Sequence, residues 1–467
     1  MLYLEKMERQ VANVQLQKQR LFSNRMLVAL IVPLVIEQAF TVLVGLVDGI
    51  MVSSVGEAAI SGVSLVNMIN NVILNLFAAL ATGGAVITSQ YLGAKDPDNA
   101  KRSAGQLVLM AAVFGLAVMV LCLVFAEGLI DLFFGTITAE VRQAGLTYLR
   151  ITALSFPFIA LYNAGAAIFR SIGNSKISMR VSILMNGINV AGNAICIFGL
   201  KMGVAGVAVP TLVSRMVAAG LMLYLTSRPD MQLRLQLSGV LRFRKDMIRK
   251  ILRIGVPSAA ENSLFQLGRV LVVSMISLHG TVHITANAVA NTLDSIGCIP
   301  GFAIGMAMIT VVGQCVGAGD EEQIKHYAKK LLLTDYVLQG LGNILMAVFA
   351  YQCIGLYSSL SPETEDLAAT LVRIHTLCGL VLWPAAFVLP NALRAVNDVK
   401  YTMWVSVGSM VLFRLTLSWL LCVHLGMGAV GVWIAMVADW VCRTVFVLIR
   451  WLSGSWKKKC NLAENNA

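Results

Sequence analysis

The sequence predicts an all-α integral membrane protein, with twelve transmembrane helices in two six-helix lobes related by a pseudo-two-fold axis along the membrane normal. Three observations lead there. Of 467 residues, 58% are hydrophobic and only 13% charged, outside the usual range of a soluble domain. Apolar stretches of about 20 residues or more, enough to cross a bilayer as a helix, recur from end to end. The second half of the chain also repeats the first.

In order, the apolar stretches lie near 26–52, 59–88, 104–126, 143–168, 178–200 and 203–226, then near 251–278, 284–312, 331–353, 370–393, 401–424 and 428–451. They divide the chain into an N-terminal segment (1–25), a first lobe (26–226), a polar linker (227–250), a second lobe (251–451) and a tail (452–467). Alternating segments separated by turns are too few for a β-barrel. The first apolar run is too long for a signal-peptide core and reads as an uncleaved span.

The repeat is gapless over most of its length at an offset of 224 residues. Pro33 and Glu37 fall on Pro257 and Glu261, Gly56 on Gly280, Asn67 on Asn291, and Gln90 on Gln314. Gly93-Ala94-x-Asp96 falls on Gly317-Ala318-x-Asp320, Arg170 on Arg394 and Lys176 on Lys400. One further residue of offset places Gly203 and Gly206 on Gly428 and Gly431. Six spans per half is an even number, so both halves enter the membrane in the same direction. Such parallel repeats leave a cavity between them.

The net charge of +12 is a topology signal. Most Lys and Arg lie in the termini, the even-numbered loops and the linker, where Arg242, Arg244, Lys245, Arg249, Lys250 and Arg253 cluster. Residues 53–58 carry no basic residue, and 354–369 carry Glu363, Glu365 and Asp366 without one. The positive-inside bias then makes both termini and the linker cytoplasmic. No basic face is interleaved with exposed aromatics, which excludes a nucleic-acid partner. The nine cysteines show no spacing for a metal site or disulfide framework. There is no phosphate-cradling Gly-rich loop of the ATPase type. Gly83-Gly84 lies inside an apolar span and reads as close helix packing.

Repetition sorts the polar residues. Those in both halves are explained by the scaffold, while those in one half need another reason. Asp48, in the outer half of the first span, falls opposite Val272; Asn186, Asn189 and Asn193 in the fifth fall opposite Met410, Phe413 and Leu417. Spacings of three and four place the amides on one helical face. A membrane-embedded carboxylate is costly when charged and tends to bind a proton, a cation or a fixed partner. Amide oxygens at Asn189 and Asn193 could complete a cation shell or bond the protonated acid. Glu37 and Glu261 follow prolines that remove a helical hydrogen bond, so Pro33 and Pro257 read as kinks and the glutamates as scaffold groups bonded to helix termini. Arg414 with Asp439 reads as a buried ion pair, and Arg215, Arg269 and Asp294 invite the same reading. Arg170, Lys176, Arg394 and Lys400 read as orientation charges. The histidines (His279, His283, His326, His375, His424) fall mostly near span ends. With no H-E-x-x-H or G-x-S-x-G, the chain lacks the signature of a membrane-embedded enzyme.

Several motifs in fixed order resemble the multidrug and toxic compound extrusion (MATE) transporters across nearly the whole chain. They are P-x-x-x-E…G-L-V-D-G-I-M-V-S at 33–53, S-Q-Y-L-G-A-K-D at 89–96, F-R-S-I-G-N-S-K at 169–176, N-x-x-x-N-A-I-C-I-F-G at 189–199 and G-V-A-G-V-A at 203–208. The second half carries V-G-Q-C-V-G-A-G-D and L-R-A-V-N-D-V-K. The resemblance implies a cation-coupled antiporter that moves amphipathic, often cationic, small molecules out through the inter-lobe cavity of a bacterial inner membrane. It implies no cofactor, a monomer, and a proton or sodium ion as coupling ion. One branch couples through an acid in the first span with an asparagine and an acid four residues apart in the fifth. Asp48 and Asn189 match, but Asn193 stands where the second acid would be. That departure favours protons over a sodium ion at Asp48, Asn189 and Asn193. A second branch uses acids in the seventh and tenth spans, where Phe265 and Trp383 stand here. The alternative within the superfamily, a flippase for lipid-linked saccharides, would be expected to show a more cationic cavity.

Overall fold

The computed structural model describes residues 20–135, 137–357 and 360–460, so most of the N-terminal segment and the end of the tail lie outside it. Among the described residues every regular element is helical. The first lobe holds Asn24–Ser53, Glu57–Gly93, Pro97–Val124, the pair Ala139–Leu154 and Phe156–Ser171, Ser175–Gly199 and Ala205–Ser227. The second holds Lys245–Ser277, the pair Thr281–Gly297 and Ile299–Gly317, Glu321–Val348, Pro362–Ala395, Val399–His424 and Gly428–Leu452. These occupy the twelve predicted positions.

Ten of these helices are long and apolar enough to cross a membrane alone, or eleven with the fourth span, whose two pieces meet at 46°. Pro157 has no N–H to continue the first piece's hydrogen bonding and instead stands in the first turn of the second piece, where none is needed. The eighth span is likewise broken, at Cys298. The seventh, 33 residues long, is the least apolar because Glu261, Arg269 and the basic residues Lys245, Arg249, Lys250 and Arg253 interrupt it.

The repeated motifs are repeated backbone. Asp96 and Asp320 each cap the next helix, accepting from Asn99 N at 3.0 Å and Gln323 N at 3.0 Å. The residues just before the caps, Lys95 and Gly319, both take the left-handed conformation, with φ of 56° and 70°. Gly173 and Asn397 do so as well, before Asn174 and Asp398.

Each lobe has its own core, but the first span of each starts in the other lobe's core. Phe22, Leu27, Leu30, Ile31 and Leu34 pack among second-lobe residues, while Ile251 and Ile254 pack among first-lobe residues. Further along, Val52 lies in a first-lobe cluster, and Val272 and Ile276 lie in the second-lobe core. Pro33 and Pro257 therefore sit close to where each helix passes from one lobe to the other, in otherwise unbroken helices.

The lobes are sealed at the end carrying the basic loops. Gln90 Nε2 donates to Ala395 O at 2.8 Å, and its repeat partner Gln314 donates from Nε2 to Ser171 O at 2.7 Å. Tyr327 OH donates to Phe22 O at 2.6 Å, and Lys250 Nζ to Tyr91 OH at 3.0 Å. Gly83 lies against the seventh span, where a Cβ would come within 2.6 Å of Ile251 O. Toward the opposite end the first span is exposed on more than one side: Phe40, Leu43 and Val47 are exposed, and open space lies beside Gly45 and Gly49.

Candidate functional site

In the first lobe, Asp48 and two of the three predicted amides come together. Asp48 is half-buried, five residues before the open end of its helix, while Asn189 and Asn193 are buried on the facing fifth span. Asn193 Nδ2 donates to Asp48 Oδ1 at 2.9 Å. The Asn189 amide is placed nitrogen-first by its neighbours. Nδ2 then lies 3.0 and 3.2 Å from the two Asp48 oxygens, and Oδ1 lies 3.0 Å from Thr211 Oγ1. One carboxylate thus receives N–H groups from two amides, the donor set that suits its ionised form. Asn193 Oδ1 is buried without a partner. Asn186 lies apart, its Nδ2 3.4 Å from Ser182 Oγ. Gly192, which lies between the two amides in sequence, lets the sixth span approach: a Cβ there would meet Pro210 Cβ at 2.7 Å.

Behind this set stand residues that the sequence reading did not join to it. Tyr148 OH donates to Asn67 Oδ1 at 3.2 Å. Arg215, read as an ion-pair candidate, instead donates to Ser155 Oγ at 2.8 Å.

The glutamates bridge spans in both lobes, mostly through side chains in the end turns of neighbouring helices. Ser178 Oγ donates to Glu37 Oε2 at 2.8 Å, and Arg170 Nη1 stands 3.7 Å from Oε1. Arg394 Nη2 and Ser406 Oγ reach Glu261 Oε1 at 2.8 and 2.6 Å. Arg170 and Arg394 are therefore partners of the buried acids, in place of the loop orientation charges expected. Sequence could have found this, since each Arg repeats at the same offset as its glutamate.

One expectation for the second lobe is extended and two are corrected. Arg414 forms the expected buried ion pair with Asp439, at 4.0 Å, and Arg443 is a second and closer partner, at 2.9 Å. One turn separates Asp439 from Arg443, the i, i+4 spacing that could have identified it. Asp294 does not pair with Arg269, which donates to Asn291 Oδ1 at 3.3 Å. Its partner is His375, buried in the middle of the tenth span and not at a span end. Removing the shared acid of the Arg443–Asp439–Arg414 group leaves two buried guanidinium ions uncompensated. Asp439→Asn is therefore expected to lower stability by about 3–5 kcal/mol, seen as early loss of the monodisperse peak when detergent-solubilised protein is heated.

Two lobes of repeated, bilayer-spanning helices, bonded to each other at the end carrying the basic loops, with a half-buried acid toward the other end of the first span, have the architecture of a membrane transporter built from parallel repeats. The family model described as MatE matches the chain twice, over residues 33–195 and 257–420, starting at the two prolines of the repeat. The chain belongs to this family of multidrug efflux transporters. It is 29% identical over 435 residues to the uncharacterized transporter YisQ of Bacillus subtilis, covering 91% of this chain and 94% of that one. It is 26% identical over 446 residues to the probable multidrug resistance protein NorM of Thermotoga maritima, covering 94% of each. Among solved structures, one described as the outward-facing conformation of a multidrug resistance MATE family transporter superposes with a TM-score of 0.86 at 22% identity, covering 93% of this chain and 96% of that one. These relatives and structural neighbours are transporters, not enzymes.

Proposed function

We propose that the protein is a secondary active antiporter that exports amphipathic or cationic small molecules from a bacterial cell, with Asp48 carrying the coupling ion. The end bearing the basic loops is cytoplasmic, so the open end faces outward, and the protein works as a monomer in the inner membrane. The observation that carries this reading is the placement of Asp48 beside the open space along Gly45 and Gly49, with its carboxylate held by Asn189 and Asn193. From the open side the carboxylate takes up an ion. Neutralised, it no longer attracts the two amide N–H groups, and the fifth span's hold on the first weakens. The first span can then reorganise about Pro33 while the lobes close around the site. Release of the ion on the cytoplasmic side restores the bonds.

The amides present N–H rather than oxygen to the acid and so offer no ligand for sodium, whereas a proton needs only the carboxylate; this favours a proton as the coupling ion. The unpartnered Asn193 Oδ1 favours sodium as the second reading, since it could serve as a cation ligand if both amides turned. Dye transport in inverted vesicles tests both: a pH gradient alone is expected to drive transport and a sodium gradient alone is not. Transport driven only by sodium would transfer the role to that ion, and response to neither gradient would end the antiport reading.

A further inference from the structure

The second lobe has its own set of buried polar residues, of which only Asp294 has a polar counterpart in the first, the uncharged Asn70. At the repeat offset Asp294 falls opposite Asn70, Asp335 opposite Ala111, Gln339 opposite Gly115, Asn343 opposite Met119, and His375 opposite Ile151. The structure brings these residues of the eighth, ninth and tenth spans together. His375 Nε2 lies against Asp294 Oδ1, and Cys298 Sγ donates to the same oxygen at 3.3 Å. Asp294, Asn343 and His375 line one small pocket with Met346 and Thr376. The His375 ring is clamped edge-on by Trp440 and Trp433, with centroids 4.9 and 5.9 Å away.

Asp335, Gln339 and Asn343 are each at most 1% exposed, and none of their side-chain oxygen or nitrogen atoms has a hydrogen-bond partner. Steps of four residues put the three on one face of the ninth span. Glycines make room for them. A Cβ at Gly297 or Gly379 would come within 3.1–3.2 Å of the Asn343 amide, and one at Gly301 within 2.5 Å of Gln339 Oε1. Unpaired polar atoms in a membrane-embedded core are expensive to maintain. A purely structural core would have filled these positions with apolar side chains.

We propose that Asp294 and His375 form a second proton-binding site, with the Asp335–Gln339–Asn343 face leading from it toward the cytoplasmic end. The proposal rests on the antiport reading for its role in transport, but not for the binding event itself. His375 Nε2 takes a proton from water on the open side, giving an imidazolium against the Asp294 carboxylate. In the opposite conformation it returns that proton to water on the cytoplasmic side. Asp294 is the outward contact, since its side chain is 22% exposed while that of His375 is 1% exposed. The charged groups around the pair are Arg269 of the seventh span, Asp335 of the ninth, Arg414 of the eleventh, and Asp439 and Arg443 of the twelfth. Arg443 and Arg414 are engaged with Asp439, so the imidazolium is compensated chiefly by Asp294.

Ring-15N-histidine NMR on the full-length protein in nanodiscs tests the binding step. The His375 signals are assigned by their loss in His375→Gln, and retention of the other four histidine signals reports that the variant is folded. His375 is expected to exchange between neutral and imidazolium ring signals as pH is varied, and Asp294→Asn, which removes the stabilising charge, is expected to favour the neutral ring. A His375 that keeps one protonation state at every pH at which the wild-type protein stays folded would overturn the site.

Transport stoichiometry tests the coupling. With the membrane potential clamped at zero, each coupled proton contributes about a tenfold accumulation ratio per pH unit. Tetraphenylphosphonium in proteoliposomes is expected to reach about a hundredfold ratio for the wild type and about tenfold for His375→Gln. A tenfold ratio for both would overturn the coupling of this site. No accumulation by either protein would instead remove the antiport reading, with the histidine titration still deciding whether the site binds a proton.

Discussion

Asp48→Asn is expected to abolish gradient-driven export while leaving the protein folded and in the membrane. The substitution keeps the size of the side chain and lets it pair with Asn189 and Asn193, whose amides can turn to present oxygen. What it removes is the ability to change charge, and hence the difference in energy between loaded and unloaded states that couples ion movement to substrate movement. Dye efflux driven by a pH gradient should fall to the level of vesicles lacking the protein, with equal protein by immunoblot. Substrate binding should survive. Asp48→Glu, which keeps the acid, should recover part of the activity. Wild-type efflux by the Asn variant would sink the assignment of Asp48.

The second large effect is expected at the seal between the lobes. Gly93 and Gly317 are repeat partners that pack reciprocally across the basic end, each against the backbone of the other's span. A Cβ on Gly317 would collide with the Gln90 carbonyl and come to 2.8 Å of Ala94 N; one on Gly93 would collide with the Gln314 backbone. Backbone cannot step aside as a side-chain tip can, so the added methyl must part the lobes. Overpacking of this kind costs about 1–3 kcal/mol, charged only to the conformation in which this end is closed. Gly317→Ala should therefore shift the population toward the opposite state by roughly tenfold or more. Spin labels at Lys101→Cys and Lys325→Cys, exposed repeat partners on the third and ninth spans at this end, should lie farther apart by pulsed EPR in a background with the native cysteines replaced. An unchanged separation would mean that the seal tolerates the methyl and that these glycines do not set the equilibrium.

Most of the candidate site in the first lobe was legible because its signals are local or periodic. Asp48 is one charge in an apolar run, and Asn189 and Asn193 share a helical face by spacing alone. Asn186 satisfies the same spacing yet lies apart, since a helical face is wider than the contact it makes. The second-lobe cluster was largely illegible. Asp294, Asp335 and His375 come from three spans, and nothing along the chain indicates which buried groups will meet. Asp294 was accordingly matched with Arg269, an available opposite charge, when its partner was a histidine.

The twelve helical segments, the two-lobed repeat and the family are readable along the chain, and so is the isolated acid Asp48. Apolar length, period and repetition are properties of the chain, and membrane helices satisfy their own backbone hydrogen bonds without help from the rest of the fold. Which polar groups meet, which end is closed, and how the first and seventh spans begin in one lobe's core and continue beside the other's emerge only in three dimensions. Those outcomes depend on close approach between distant segments, as at Gly93 and Gly317, where a single methyl group separates contact from collision.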